Sequence, residues 1–218
     1  YARWSRGGTA IHTYRTVPSA GRRVRRALRR SPGPTLTYLY LPSVDSLSHK
    51  LGIDANETRD EIGTVDRMLA RLRERLPHNV RMVVTADHGL ANVDPEARFI
   101  WHDEEPVMSC LVCPPTAEQT LPVFHVVAGK EAEFEDRFHA TDAASVFSLV
   151  PSAELLALGV LGPNDLQPAA AARFGTYIGI SSRVATLEAV RPGKDPLVHT
   201  AVHGGLRPDE ISIPLFLA

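Results

Sequence analysis

Apolar positions along the chain follow two periods. Thr35-Leu-Thr-Tyr-Leu-Tyr-Leu41 is β-branched and aromatic and is bounded by Pro34 and Pro42, which predicts a strand. Ile62, Val65, Leu69, Leu72 and Leu76 then recur at steps of three and four residues, the spacing of an amphipathic helix. Thr58 and Glu61 form a capping-box pair ahead of it, and Pro77 stops it. Val80-Arg-Met-Val-Val-Thr85 is a second short apolar run, read as a strand. Strand, helix and strand within one short stretch predict a right-handed βαβ crossover with parallel strands, hence an α/β protein.

The pattern changes beyond residue 95. Short strand candidates (Met108–Val112, Val123–Val127, Tyr177–Ser181) alternate with short helices (Glu131–Phe138, Ala153–Leu158), with dense Gly and Pro between them. This predicts an inserted α+β subdomain. Residues 201–218 return to a loop and a last apolar strand, Ile213–Leu217. The expected organisation is therefore 1–95 as α/β core, 96–200 as insertion and 201–218 as return to the core.

Composition narrows the class. With 218 residues, 44% hydrophobic and 22% charged, the chain is globular rather than disordered, coiled-coil or collagenous. Two cysteines exclude a disulfide-rich scaffold and favour a cytoplasmic setting. No apolar run is long enough to span a membrane. The chain opens on Tyr1 without a signal-peptide core, so the expectation is that a further segment precedes it, and any signal peptide would lie there.

Charge is uneven. Residues 1–44 hold nine arginines and no acidic residue, and the remaining 174 residues carry a net charge of −10. Such asymmetry suits an arm for nucleic acid. The stretch from Ser19 to Arg30, however, places Val24, Ala27 and Leu28 at helical spacing, with Ser19 as N-cap. No aromatic residues interleave with its arginines as single-strand binding would require. A solvated helix face is the expected reading.

Three motifs carry candidate chemistry: Asp45-Ser-Leu-Ser-His49, Thr85-Ala-Asp-His-Gly89 and His203-Gly-Gly205. The first two follow predicted strands, where α/β sheets bind ligands. Asp45 and His49 are one helical turn apart and so share a side. Carboxylate oxygen and imidazole nitrogen without thiolate suit zinc or manganese. Gly89, and Gly204 with Gly205, permit sharp turns beside Asp87, His88 and His203.

Together these motifs resemble the metal motifs of the alkaline phosphatase superfamily, nearest to its type I phosphodiesterase/nucleotide pyrophosphatase branch. Leu158–Pro163, Arg173–Ile180 and the tail His203-Gly-Gly-Leu-Arg-Pro-Asp-Glu210 are similar to bacterial members of that branch. The resemblance runs from about residue 35 to the end. It implies an alkaline-phosphatase-like core with a mainly parallel sheet flanked by helices, plus a small inserted α+β subdomain. It also implies two divalent metal ions, zinc first, with manganese as the alternative. Asp45, His49 and His203 would hold one, and Asp87 and His88 half of the other.

The family's remaining ligand is an upstream Asp and its nucleophile an upstream Thr or Ser. No Asp precedes Asp45, and Thr9, Thr13 and Thr16 sit in Arg-rich surroundings unlike the family's nucleophile segment. The expectation is that the chain is the C-terminal portion of such an enzyme, with the nucleophile ahead of Tyr1. The implied activity is hydrolysis of phosphodiester or nucleotide pyrophosphate bonds by in-line displacement between two metals. The implied partner is a small phosphoester or nucleotide substrate, with nucleic acid not expected. A homo-oligomer or a missing N-terminal segment remains open. The alternatives are a catalytically silent metal-binding fragment and an Arg-rich nucleic-acid-binding module.

Other residues invite chemistry and are read as structural. Cys110 and Cys113 lack a second pair for zinc. His102-Asp-Glu-Glu105 reads as a solvated loop with pocket lining as a minor option. His125 reads as a strand-surface residue, and His199 stays as a further candidate beside His203.

Overall fold

The first apolar helical stripe fixes the N-terminal packing. In this computed structural model, residues 10–31, 33–160 and 166–218 are described. Arg3, Arg6, Thr9 and the Leu161-Gly-Pro163 part of the family-like stretch lie outside them. Contacts divide the chain into two units, Tyr1–Thr85 with Pro214–Ala218, and Ala86–Ile213.

In the first unit, helix α1 (Val17–Arg30) packs on helix α3 (Asn56–Glu74). Val17, Met68, Leu72 and Leu76 form the buried centre, with Val24, Leu28, Leu39, Leu41 and Val65 against it. Gly21 lets the two helices approach, since a Cβ there would lie 2.9 Å from Met68 Sδ. Ser19 is not the N-cap: that place falls to Thr16, whose backbone N–H donates to Ser19 Oγ at 3.1 Å. Thr58 is likewise inside its helix. Buried at 1% exposure, its hydroxyl donates to the Gly52 carbonyl at 2.8 Å. That bond ties α3 to the C-terminal end of helix α2 (Ser43–Leu51), where Gly52 takes φ +92°.

The expected βαβ crossover is not formed among the described residues. Residues 35–41 are assigned to no strand, and Leu36 and Tyr38 are largely exposed. Strand β1 (Val83–Thr85) pairs antiparallel with the C-terminal strand Leu215–Leu217. β-branched and aromatic residues between two prolines favour a strand by local preference only. A ladder also needs a neighbouring strand, which local sequence does not specify.

The second unit begins with β2 (Ala91–Asn92) and β3 (Arg98–His102), then β4 (Thr116–Glu118), β5 (Leu121–Phe124) and helix α4 (Glu131–His139). It continues through β6 (Phe147–Pro151), α5 (Ser152–Ala157) and α6 (Pro168–Ala171). It closes with β7 (Tyr177–Ser181), β8 (Thr186–Val190), β9 (Ala201–Val202) and α7 (Pro208–Ile211). A four-stranded antiparallel sheet runs β4-β5-β7-β6, β3 pairs parallel with β8, and β2 pairs antiparallel with β9. Phe124, Phe134, Phe138, Phe147, Trp101 and Tyr177 make the aromatic core, in tilted, stacked and edge-on contacts that such rings prefer.

Met108–Val112 is not a strand. Residues Pro106–Cys110 form a 3₁₀ turn that buries Val107 and Cys110. Only Leu111 bridges across, to Val126. Both cysteines are free thiols. No helix among the described residues is long and apolar enough to cross a membrane.

Tyr177 supplies a pH-dependent hold on this core. Its hydroxyl donates to Glu135 Oε1 at 2.5 Å. Burial, then the Glu135 hydrogen bond and the charges of Glu135 and Glu131, push the phenol up to about 12. Because the folded value lies above the unfolded one, the contribution is full below about pH 10 and is lost as pH rises towards 12. Tyr177→Phe is expected to cost about 2 kcal/mol at neutral pH, the scale of a hydrogen bond to a charged group. It should also flatten the alkaline loss of stability. Urea unfolding of both proteins at pH 8 and pH 11 measures this.

Candidate metal centre

Helix α2 positions the first pair of ligands. Asp45 lies in its first turn and His49 in its last. The one-turn spacing brings His49 Nε2 to 3.3 Å from Asp45 Oδ1, with both side chains partly exposed. Ser48, buried between them in sequence, donates its hydroxyl to the Val44 carbonyl at 2.8 Å. With Thr58 holding the helix end, the pair is carried on a fixed element.

The second group is assembled within Ala86–Ile213. Ala91 pairs with Val202 and Asn92 with Ala201, antiparallel. The segment entering β2 therefore lies beside the segment leaving β9, although the sequence separates them widely. The result is a stack of the His88 and His203 rings, 3.6 Å between centroids and 15° between planes. Asp87 Oδ1 is 3.7 Å from His88 Nε2, with the Asp87 side chain 74% exposed. His88 Nδ1 is 2.9 Å from the Gly89 carbonyl. A carbonyl only accepts, so Nδ1 carries the proton and Nε2 is the basic nitrogen.

Both turns are locked by α7, which the sequence motifs do not reveal. The Gly89 N–H donates to the Glu210 carbonyl at 2.7 Å. The Gly205 N–H donates to Glu210 Oε1 at 2.9 Å, and Glu210 is 2% exposed. A single buried glutamate thus braces the Asp87-His88-Gly89 and His203-Gly-Gly205 segments. Glycine is needed at 89 for close approach rather than for a sharp turn: a Cβ there would lie 2.0 Å from the Asp209 carbonyl oxygen. Gly204 does require its conformational freedom, at φ +102°. The His203 carbonyl accepts the Thr120 hydroxyl at 2.7 Å. The signal in sequence for Glu210 is its place five residues after a Gly-Gly pair, within the family-like tail.

The donors fit a divalent ion. Two ligands at roughly 2.0–2.1 Å from a tetrahedral zinc stand about 3.3 Å apart, the separation found for Asp45 and His49. Oxygen and imidazole donors without thiolate also admit manganese. Outside these groups, His125 Nε2 meets Thr116 Oγ1 at 3.2 Å, just beyond β5 rather than within it. His102 is exposed.

Residues 4–142 match the model of the type I phosphodiesterase/nucleotide pyrophosphatase family. Human ectonucleotide pyrophosphatase/phosphodiesterase family member 7 is 34% identical over 67 residues, 28% of this chain and 15% of that protein. Murine ectonucleotide pyrophosphatase/phosphodiesterase 5 superposes with a TM-score of 0.72 at 17% identity, covering 95% of this chain and 53% of that one. An inactive threonine-to-alanine form of that murine protein, in complex with AMP, superposes with a TM-score of 0.72 at 16% identity and the same coverage. The chain thus spans about half the length of the solved relatives and less of the curated ones. The fold is the alkaline-phosphatase-like α/β fold of these structures, and the chain belongs to the type I phosphodiesterase/nucleotide pyrophosphatase family.

Proposed function

We propose that this chain carries the metal-binding part of a hydrolase that cleaves phosphodiester or nucleotide pyrophosphate bonds. The observation that supports this most is the Asp45–His49 pair, whose donor atoms stand 3.3 Å apart on one fixed helix in a chain of this family. Asp45, His49 and His203 would hold one divalent ion, zinc before manganese. Asp87 and His88 would supply half the ligands of a second. When bound, the ions neutralise charge developing on the attacking and leaving oxygens and acidify the nucleophile.

The chain's own residues do the positioning. Asp45 and Asp87 would supply the negative charge that divalent cations require. The Gly89 carbonyl fixes the His88 tautomer so that Nε2 faces away from the backbone bond. Glu210 and Thr120 hold the backbone on which His88 and His203 sit. The family's further Asp and its Thr or Ser nucleophile have no match among the motifs read in residues 1–218, where no Asp precedes Asp45. AMP, seen with a relative, points to a nucleotide as the group retained or released.

The test pairs elemental analysis with turnover. A longer chain, extended upstream of Tyr1, is purified and assayed on a nitrophenyl nucleotide diester, with and without a chelator, beside its His203→Ala variant. Zinc at one to two equivalents, lost in part in the variant, with chelator-sensitive turnover, is the expected result. Turnover that survives chelation, or an extended chain that takes up no metal, overturns the proposal. Metal uptake without turnover identifies a silent metal-binding protein instead.

A further inference from the structure

We propose that the groove between α1 and α3 is a second anion site, separate from the metal ligands, built to hold a short chain of condensed phosphates. Its volume is about 180 Å³, and Arg22 and Arg25 line it from one helix and Arg67, Arg71 and Arg75 from the other. The spacing explains the convergence. Arg22 and Arg25 are three apart on α1, and Arg67 and Arg71 of α3 and Arg75 at its C-cap are four apart, so each set lies along one face. Gly21 draws the two faces together over Met68.

Arginine-rich helices are usually neutralised by their own acids. Here, among the described residues, none of the five guanidinium groups stands within ion-pair distance of a carboxylate. Arg67 donates to Thr64 Oγ1 at 3.2 Å, a neutral partner. Five cations around one groove repel one another, and a polyanion between them converts that repulsion into attraction. Guanidinium forks pair phosphate oxygens two at a time. The groove is smaller than a typical drug-sized pocket, which favours a compact, highly charged ligand. Met68, Leu72 and Pro18 also line it and give it apolar wall.

The probes are tripolyphosphate and ATP, titrated calorimetrically into metal-stripped protein in the presence of EDTA. One saturable site is expected, weakened at least about tenfold in R22Q/R71Q, which loses two charge-assisted contacts. R26Q/R29Q removes the same charge from exposed positions of α1 that do not line the groove and should bind as the parent does. R75Q, at the end of α3, is the second variant should the first lose its helical circular dichroism. Equal affinity for both probes assigns the phosphate chain alone as the ligand, and tighter ATP binding assigns a nucleotide. Affinity unchanged in R22Q/R71Q and R75Q, or lost equally in R26Q/R29Q, overturns the site.

Discussion

Asp45→Ala is expected to lower zinc affinity by roughly 10²–10³-fold. A structural zinc site is worth on the order of 10–16 kcal/mol spread over four ligands, so one lost ligand corresponds to about 3–4 kcal/mol. Asp45 stands at 3.3 Å from its partner His49 on a helix that is pinned at its end by Thr58. The site is therefore pre-formed on that side, and the loss is not absorbed by rearrangement. Asp45→Asn keeps an oxygen donor and loses the charge, and it should fall between the parent and the alanine variant. Asp54→Ala removes an acidic side chain that is 72% exposed and paired with Arg59, and it should leave affinity unchanged. Competition against a chromophoric chelator ranks the four proteins. Equal affinity in Asp45→Ala and the parent would show that zinc sits elsewhere.

The legibility of this molecule in its sequence depends on how local each feature is. Helix α3 can be read because Val65, Leu69, Leu72 and Leu76 of its apolar stripe do join the core, although Ile62 on the same stripe stays 49% exposed. Tyr177–Ser181 can be read because an apolar β-branched run with turn signals at each end leaves few options. Residues 35–41 carry the same signal, yet pairing is a property of two segments, and the structure assigns them to no strand. The short run at 108–112 misleads because burying Val107 and Cys110 needs only an apolar turn, not a strand. Among the site residues, Asp45 and His49 are legible from helical spacing alone. The approach of His88 to His203 is not, since it depends on the β2–β9 register. Glu210 is hidden because a glutamate in a Pro-Asp-Glu run reads as solvated, and only the fold buries it.

Gly89→Ala is expected to destabilise Ala86–Ile213 by about 3 kcal/mol and to displace His88. Overpacking against side chains costs roughly 1–3 kcal/mol because rotamers can yield. Here the obstacle is backbone: the new methyl carbon would lie 2.0 Å from the Asp209 carbonyl oxygen. Either α7 or the 87–89 segment must move, and both carry the bond from the Gly89 N–H to the Glu210 carbonyl at 2.7 Å. Breaking it frees the backbone that sets the His88 ring against His203 at 3.6 Å. For a domain of this size the loss corresponds to a fall in Tm of about 6–12 °C. Glu210→Gln retains an oxygen that can accept the Gly205 N–H and should be milder than Glu210→Ala, which leaves that buried donor without its acceptor. Thermal unfolding of the three variants, with metal uptake measured on each at a temperature where it is folded, separates the effects. Gly89→Ala with the parent's Tm and metal content would mean that α7 does not brace the two motifs.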